Sequence, residues 1–145
     1  MGTGLSKEEL KKKVEELAKA GDRNAIQELV KDADPDEVFT VVTPAGANAR
    51  DDVKQKLAGT NAIVKFLIEG EGGGTYYLKI TPDGAVEGCA GEPPSANATV
   101  IQNIADWRAV NRRELDPQMA FMQGKIKIQG DMSIIMKLAQ LMRPG

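Results

Sequence analysis

The chain has 145 residues, enough for one domain with a single hydrophobic core, and its 41% hydrophobic and 28% charged residues are ordinary for a globular protein. Its 19 Lys and Arg residues against 21 Asp and Glu give a net charge of −2, which argues against nucleic-acid binding. Histidine is absent and Cys89 is the single cysteine, so Ser-His-Asp and Cys-His catalysis and an internal disulfide are excluded.

The sequence also lacks the patterns of secreted, membrane and metal-binding proteins. Residues 1–10 contain no apolar run of signal-peptide length, and nowhere do 18 apolar residues follow one another. The acidic pairs Asp51-Asp52 and Asp34/Asp36 lack the ligand spacing of a calcium loop. We therefore expect a soluble, cytoplasmic protein with no cofactor and no metal site.

The first 33 residues are predicted to form a helical hairpin. Ser6 and Glu9 have the spacing of a capping box, and apolar residues then recur at helical spacing as far as Gly21. Asp22 can cap a second short helix that runs toward Pro35. The sequence therefore predicts one helix over residues 6–20 and a second that begins after Asp22 and ends by about residue 33. Residues 1–33 are expected to form an N-terminal extension.

Residues 36–57 are less regular. Because Val38, Phe39 and Val41 favour a strand while Asp34-Pro35 is typical of a helix start, residues 36–43 are ambiguous, and we predict a helix there. A loop is predicted at residues 44–47. A short helix is predicted over residues 51–57, closed by Gly59.

The remainder alternates strands, turns and helices. Residues 61–69 place apolar side chains on both faces, as in a central strand that is covered on two sides. The glycine-rich run 69–74 lacks the Lys-Ser/Thr of a phosphate loop and predicts a hairpin turn. Further strands are predicted at 75–80, 85–90, 98–102 and 125–129, and helices around Trp107, after Asp116-Pro117, and over 132–142.

The closing helix has more apolar surface than one buried face requires. Its polar residues fall in a narrow sector, which leaves an apolar arc of roughly 220° where about 100° would cover a core. Five of the six methionines lie in the last 27 residues, and flexible thioether side chains adapt to ligands of irregular shape. This pattern is compatible with a cavity wall, an ordinary core or a dimer interface.

One stretch carries a family resemblance. Residues 115–132, LDPQMAFMQGKIKIQGDM, continuing to Lys137-Leu138, resemble the carboxy-terminal signature of the sterol carrier protein type 2 lipid-binding domain. The resemblance covers approximately residues 35–143 and implies a domain over 34–145. It implies an α+β fold: a five-stranded, mostly antiparallel sheet covered by helices that enclose an apolar tunnel.

The resemblance also implies a function. Members of the family bind fatty acids, fatty acyl-CoA, sterols or other lipids without catalysis, so we expect binding and transfer or presentation of a hydrophobic ligand, with no catalytic residue. A membrane surface or a partner enzyme would be a transient partner. The expected ligand-binding residues are Phe66, Trp107, Gln118, Phe121, Met122, Gln123, Ile126, Met132, Ile135, Met136 and Ala139.

Three further interpretations stay open. The chain can be an accessory module that docks a partner enzyme through its apolar groove. It can also be an enzyme acting through Cys89, which is the least favoured hypothesis because a buried inert thiol is expected there. Arg108, Arg112 and Arg113, with Lys125 and Lys127 nearby, can contact anionic head groups or form a solvated basic face.

Overall fold

The N-terminal hairpin forms as predicted. The computed structural model describes residues 2–142, without the side chains of 139–142. Helix α1 spans Lys7–Ala20 and helix α2 spans Arg23–Val30. The capping box is present, since the Glu9 backbone N–H donates to Ser6 Oγ at 3.2 Å and the Ser6 N–H donates back to Glu9 Oε1 at 3.4 Å.

A continuous helical segment follows, and it corrects one prediction. It consists of helix α3 at Pro35–Glu37, a π-helical turn at Val38–Val42 and helix α4 at Thr43–Asn48. The loop predicted at residues 44–47 is therefore wrong, whereas the helix predicted at 36–43 is confirmed. The Thr43 N–H donates to the Val38 carbonyl, a π-type bond. Pro44 thus comes where the regular helical ladder is already interrupted, and its missing N–H costs little there.

Five strands form one sheet in the order β3-β2-β1-β4-β5. Strands β1 and β2 form the hairpin predicted around the glycine-rich turn, with Ile68 opposite Gly74. Strand β4 pairs parallel with β1, and the other pairs are antiparallel. The strands are β1 Ala62–Glu69, β2 Gly74–Ile80, β3 Val86–Ala90, β4 Ala98–Asn103 and β5 Ile126–Gly130.

Helices cover one face of this sheet. The remaining helices are α5 Asp51–Leu57, α6 Ile104–Asn111, α7 Pro117–Met122 and α8 Met132–Met142. On β1 the side chains of Ala62, Val64 and Ile68 are buried, while Ile63 and Leu67 on the opposite face are only half-buried. The expectation that β1 is covered on both sides is wrong. Lys65, on the open face, forms a 2.7 Å ion pair with Glu92.

Three groups of buried side chains make up the core. The main cluster lies between the sheet, α5 and α8, and the aromatic cluster lies beside it. A third group, the N-terminal cluster, joins α1 to the π turn and α4 through Leu10, Val14, Val41 and Ala45. The main cluster consists of Ala47, Val53, Leu57, Val64, Leu78, Ile80, Val86, Val100 and Leu138, and the aromatic cluster of Phe39, Ile68, Tyr76 and Trp107.

The end of α6 holds α2 in place. Asn111 Nδ2 donates to the Val30 carbonyl at 2.9 Å, and Gln27 Nε2 donates to the Asn111 carbonyl at 2.9 Å. Arg113 Nε donates to Gln27 Oε1 at 2.7 Å. These hydrogen bonds link segments more than 80 residues apart in the chain and fix the hairpin against the sheet-bearing part of the molecule.

Asn111→Ala tests this link. The substitution removes the bond to the C-terminal carbonyl of α2, and we expect the free energy of unfolding to fall by about 1 kcal/mol. Chemical denaturation followed by circular dichroism measures the change. Glu114→Ala, at an exposed position just beyond α6, is the control and should have little effect. Equal stability of Asn111→Ala and the parent protein would contradict the role given to this bond.

Candidate functional site

Helix α7 buries one side chain and exposes three large apolar side chains to solvent. Asp116 caps the helix by accepting hydrogen bonds from the Gln118 N–H at 2.8 Å and the Met119 N–H at 3.3 Å, and Pro117 occupies its first turn. Ala120 is fully buried. Met119, Phe121 and Met122 are exposed, Met122 by 75%. A helix of this length cannot bury its apolar residues on more than one side.

Helix α8 packs on the core with one side and exposes methionines on the other. The Asp131 side chain accepts a hydrogen bond from the Ser133 N–H at 2.9 Å, and the Ser133 side chain lowers the pKa of Asp131. Leu138 is buried in the main cluster. Met132 and Met136 are exposed, Met136 by 57%. The surplus apolar surface of this helix therefore faces solvent in the part of α8 whose side chains are described.

The course of α8 follows from one contact at its start and one at its middle. The Asp131 N–H donates to the Asn97 carbonyl at 2.9 Å, beside the start of β4. Lys137 Nζ donates to Thr60 Oγ1 at 3.1 Å, just before β1 begins. The helix therefore runs over the covered face from β5 toward the start of β1.

Several apolar side chains on the covered face are incompletely buried. They pack against the main cluster, yet each retains solvent access. Phe66 contacts the main cluster and the aromatic cluster alike, which places it at their boundary. The group consists of Phe66, Ile126, Ile128, Ile134 and Ile135. It forms the partly open apolar lining that the fold provides, and it includes three of the expected ligand-binding residues.

The aromatic side chains stack beside this lining. The Phe39 ring lies 4.6 Å from the Phe66 ring, 5.3 Å from the Tyr76 ring and 6.1 Å from the Trp107 ring, measured between centroids. Trp107 is buried, as its helical spacing predicts. The π turn supplies Phe39, so this irregular turn determines where the aromatic cluster lies.

The expected site residues thus fall into three groups. Phe66, Trp107, Ile126 and Ile135 lie inside or along the covered face, whereas Phe121, Met122, Met132 and Met136 are exposed on α7 and α8. The two glutamines expected to meet a head group, Gln118 and Gln123, are also exposed. The side chain of Ala139 lies outside the described residues.

A different glutamine is the polar group of the covered face. Gln102 shares the inward side of β4 with Ala98 and Val100, and it is only 8% exposed. No protein group in the described part of the chain hydrogen-bonds to its Oε1 atom. The sequence itself indicates that Gln102 faces inward. At two-residue spacing along a strand it shares one face with Ala98 and Val100, which are apolar.

Arg108 of α6 and the two arginines that follow the helix are engaged with side chains of residues 27–34. Arg108 forms a 3.6 Å ion pair with Asp34, and Arg112 forms one of 3.2 Å with Asp32. Arg113 donates to Gln27, as described above. Arg112 and Arg113 nevertheless remain exposed, so the head-group contact and the solvated basic face both stay predictions.

Cys89 is half-buried, so the expectation of a buried thiol is wrong. It lies opposite Tyr77 in the β2–β3 pair. A hydrogen bond with Cys89 raises the pKa of the Tyr77 hydroxyl. Within residues 2–142 no three His, Cys, Asp or Glu side chains are grouped so that they could hold a metal ion.

An open groove of about 450 Å³ lies away from the sheet, between α1 and α4. Three lysines and two glutamates of α1 line one side of it, and Val41, Pro44 and Ala45 are among the residues on the other. Its charged wall differs from the partly open apolar lining under α8.

No helix in the described range 2–142 is long and apolar enough to span a bilayer.

The fold and the lining together define a class of domain. In this class, helices cover one face of a small sheet, and apolar side chains between the helices and the sheet stay partly accessible. The SCP-2 sterol transfer family matches residues 45–143, more than half of the chain, and the chain belongs to this family. The five-stranded α+β fold expected from the sequence is confirmed.

Relatives of the chain carry enzyme names. Hydroxysteroid dehydrogenase-like protein 2 of Bos taurus is 32% identical over 107 residues, which cover 74% of this chain and 24% of that protein. The Mus musculus protein of the same name is 40% identical over 85 residues, or 57% of this chain and 17% of that protein. The chain therefore spans a quarter or less of the length of these relatives.

A solved structure supports the fold. The stereoselective inverting sec-alkylsulfatase from Pseudomonas sp. superimposes with a TM-score of 0.56 and 22% sequence identity. The similarity covers 74% of this chain and 16% of the sulfatase chain. At this identity the likeness shows a shared fold.

Proposed function

We propose that the chain binds a hydrophobic molecule without catalysis and transfers it or presents it to an acceptor. The observation that carries this proposal is the family match over residues 45–143. A fatty acid, a fatty acyl-CoA, a sterol-like molecule or another lipid would be the ligand. The proposed site lies along the partly buried apolar side chains between the sheet and α8, among them Phe66, Ile126 and Ile135.

The partly open lining supports this location. These apolar side chains lie against the core but are still in contact with solvent. Covering them with another apolar surface is therefore favourable in free energy. Removing an acyl chain from water is favourable by about 0.8 kcal/mol per methylene, so ten methylenes supply several kcal/mol without any specific hydrogen bond. A site of this kind accepts many ligands of similar length.

The exposed methionines support a role for the outer side of α8 in ligand entry. Met132 and Met136 are unbranched and polarizable, and both are already in contact with solvent. In the proposal they are the first protein surface that a lipid meets, before it reaches the lining. Phe121 and Met122 on α7 have the same role at the other end of β5.

Met136→Arg tests the site without unfolding it. Because Met136 is largely exposed, the new guanidinium stays solvated, and we expect stability to change by no more than about 0.5 kcal/mol. Uptake of a fluorescent long-chain fatty acid by delipidated protein should fall at least about tenfold, since the entering chain would have to displace water from a cation. Stopped-flow fluorescence measures the rate of uptake.

Gln55→Arg, on the exposed side of α5, adds the same charge elsewhere and should leave uptake unchanged. Equal uptake by Met136→Arg and the parent protein would remove α8 from the entry route. Absence of saturable uptake of fatty acid, acyl-CoA and sterol probes by the parent protein would refute lipid binding itself.

A second candidate function is docking to a partner enzyme. It is favoured by the exposed apolar side chains of α7 and α8, which a partner surface could cover: Met119, Phe121, Met122, Met132 and Met136. It is also favoured by relatives in which the matching segment is a small part of a protein with an enzyme name. A stoichiometric complex in size-exclusion chromatography, with no lipid extractable from it, would support docking over carriage.

We further propose that residues 1–33 are an extension attached to a lipid-binding unit of residues 34–145. The family match begins at residue 45, beyond both helices of the hairpin. The hydrogen bonds between α2 and α6 would then hold the extension against the unit. In this arrangement α1 covers the π turn and α4 rather than the lining beneath α8.

A further inference from the structure

Gln102 is a polar group in an apolar environment. Across the sheet it lies opposite Ile68 of β1 and Ile126 of β5. Ile68 belongs to the aromatic cluster and Ile126 packs against the main cluster, so Gln102 lies on the boundary between the two. Phe66 contacts both clusters at the same boundary. This glutamine therefore lies beside the apolar lining proposed to hold the ligand.

The unpaired atom of Gln102 is a hydrogen-bond acceptor. Its Oε1 is buried, and no protein donor in the described part of the chain reaches it. A buried acceptor without a donor destabilises the protein, and buried carbonyl oxygens are almost always paired. A hydroxyl group brought in on a ligand would supply the missing donor. An ether oxygen or an ionised carboxylate has no proton to donate.

We propose that Gln102 is the polar anchor of the lipid site and that it selects neutral lipids with a hydroxyl group. The ligand hydroxyl donates to Gln102 Oε1 while the hydrocarbon lies along Phe66 and Ile126. This inference rests on the proposed lipid-binding function and adds the chemical class of the ligand. Selectivity then arises from one hydrogen bond inside a site that otherwise only excludes water.

Two probes of nearly equal shape test the inference on the parent protein. We expect delipidated protein to bind 1-dodecanol about tenfold more tightly than dodecyl methyl ether, measured by displacement of a fluorescent apolar probe. Equal affinity for the two probes would overturn the anchor role while leaving the lipid-binding proposal intact. Failure of both probes to bind would refute the proposed function instead.

Gln102→Met assigns the preference to this residue. The substitution keeps an unbranched side chain of similar length and removes the acceptor. Affinity for the ether should stay within about twofold, affinity for the alcohol should fall to that of the ether, and the midpoint of thermal unfolding should rise. Gln129→Met, at an exposed position on the other face of β5, should preserve the alcohol preference. An unchanged preference for the alcohol in Gln102→Met would overturn the proposal. If this variant does not fold, the comparison of the two probes on the parent protein still tests whether the site prefers a hydroxyl group.

Discussion

Replacing Leu138 by alanine should lower the free energy of unfolding by about 2–5 kcal/mol. Leu138 is 6% exposed and belongs to the main cluster together with Val64 and Val100. Truncation removes its contacts with the sheet and leaves a cavity beneath α8 that the surrounding strands cannot fill. The loss is a large fraction of the stability of a domain of this size. Chemical denaturation followed by circular dichroism measures it.

Met136→Ala on the same helix is the matched control. Its side chain is mostly in solvent, so its loss should change stability by no more than about 0.5 kcal/mol. The contrast between these two substitutions measures which side of α8 the protein uses for folding. Equal destabilisation by both would show that the methionine side is also packed, and that α8 has no apolar surface to spare for a ligand or a partner.

The division of α8 into a packed side and an exposed side changes what its composition means. The apolar arc of this helix is wider than packing requires, as the sequence indicates, but the surplus at Met132 and Met136 points outward. A lipid carrier and a docking module would both use such a surface, the first for entry and the second for contact. Ligand access to the side chains beneath the helix would distinguish the two, because only a carrier needs it.

Regular elements could be predicted from the sequence because their signals are local. The capping box of α1 and the glycine-rich turn between β1 and β2 each depend on residues close together in the chain. The start of α8 was equally local, since Asp131 caps the helix through its own neighbour Ser133. The family resemblance implies a single five-stranded, mostly antiparallel sheet, which periodicity alone does not predict, and the order of the strands comes from the structure.

The failures have nonlocal causes. Pro44 is typical of a loop, and only the π turn before it allows the helix to continue through residues 44–47. The outer face of β1 is apolar in sequence, but no helix within residues 2–142 covers it. Gln118 and Gln123, which the resemblance implies as polar contacts, lie on the surface, whereas the burial of Gln102 depends on the register of β4 between β1 and β5.

Gly88→Ala should destabilise the protein by more than about 3 kcal/mol. A Cβ atom at position 88 would overlap the carbonyl oxygen of Phe39 and the ring of Pro44. Neither backbone can move freely, because β3 is paired with β2 and the Phe39 ring is stacked on Tyr76 and packed against Phe66. The π turn must therefore leave the sheet or the strand pair must open.

Trp107 provides the readout for this substitution. It is the only tryptophan in the chain, and its ring lies 6.1 Å from Phe39, so denaturation followed by its fluorescence reports on the aromatic cluster directly. Gly46→Ala is the control of opposite sign. The nearest atom to a Cβ there is Val14 Cγ1 at an ordinary contact distance of 3.7 Å, and alanine favours the helix by up to about 1 kcal/mol. A stable Gly88→Ala protein with unchanged Trp107 fluorescence would contradict the close packing of the π turn on β3, and with it the placement of Phe39 beside the proposed lipid site.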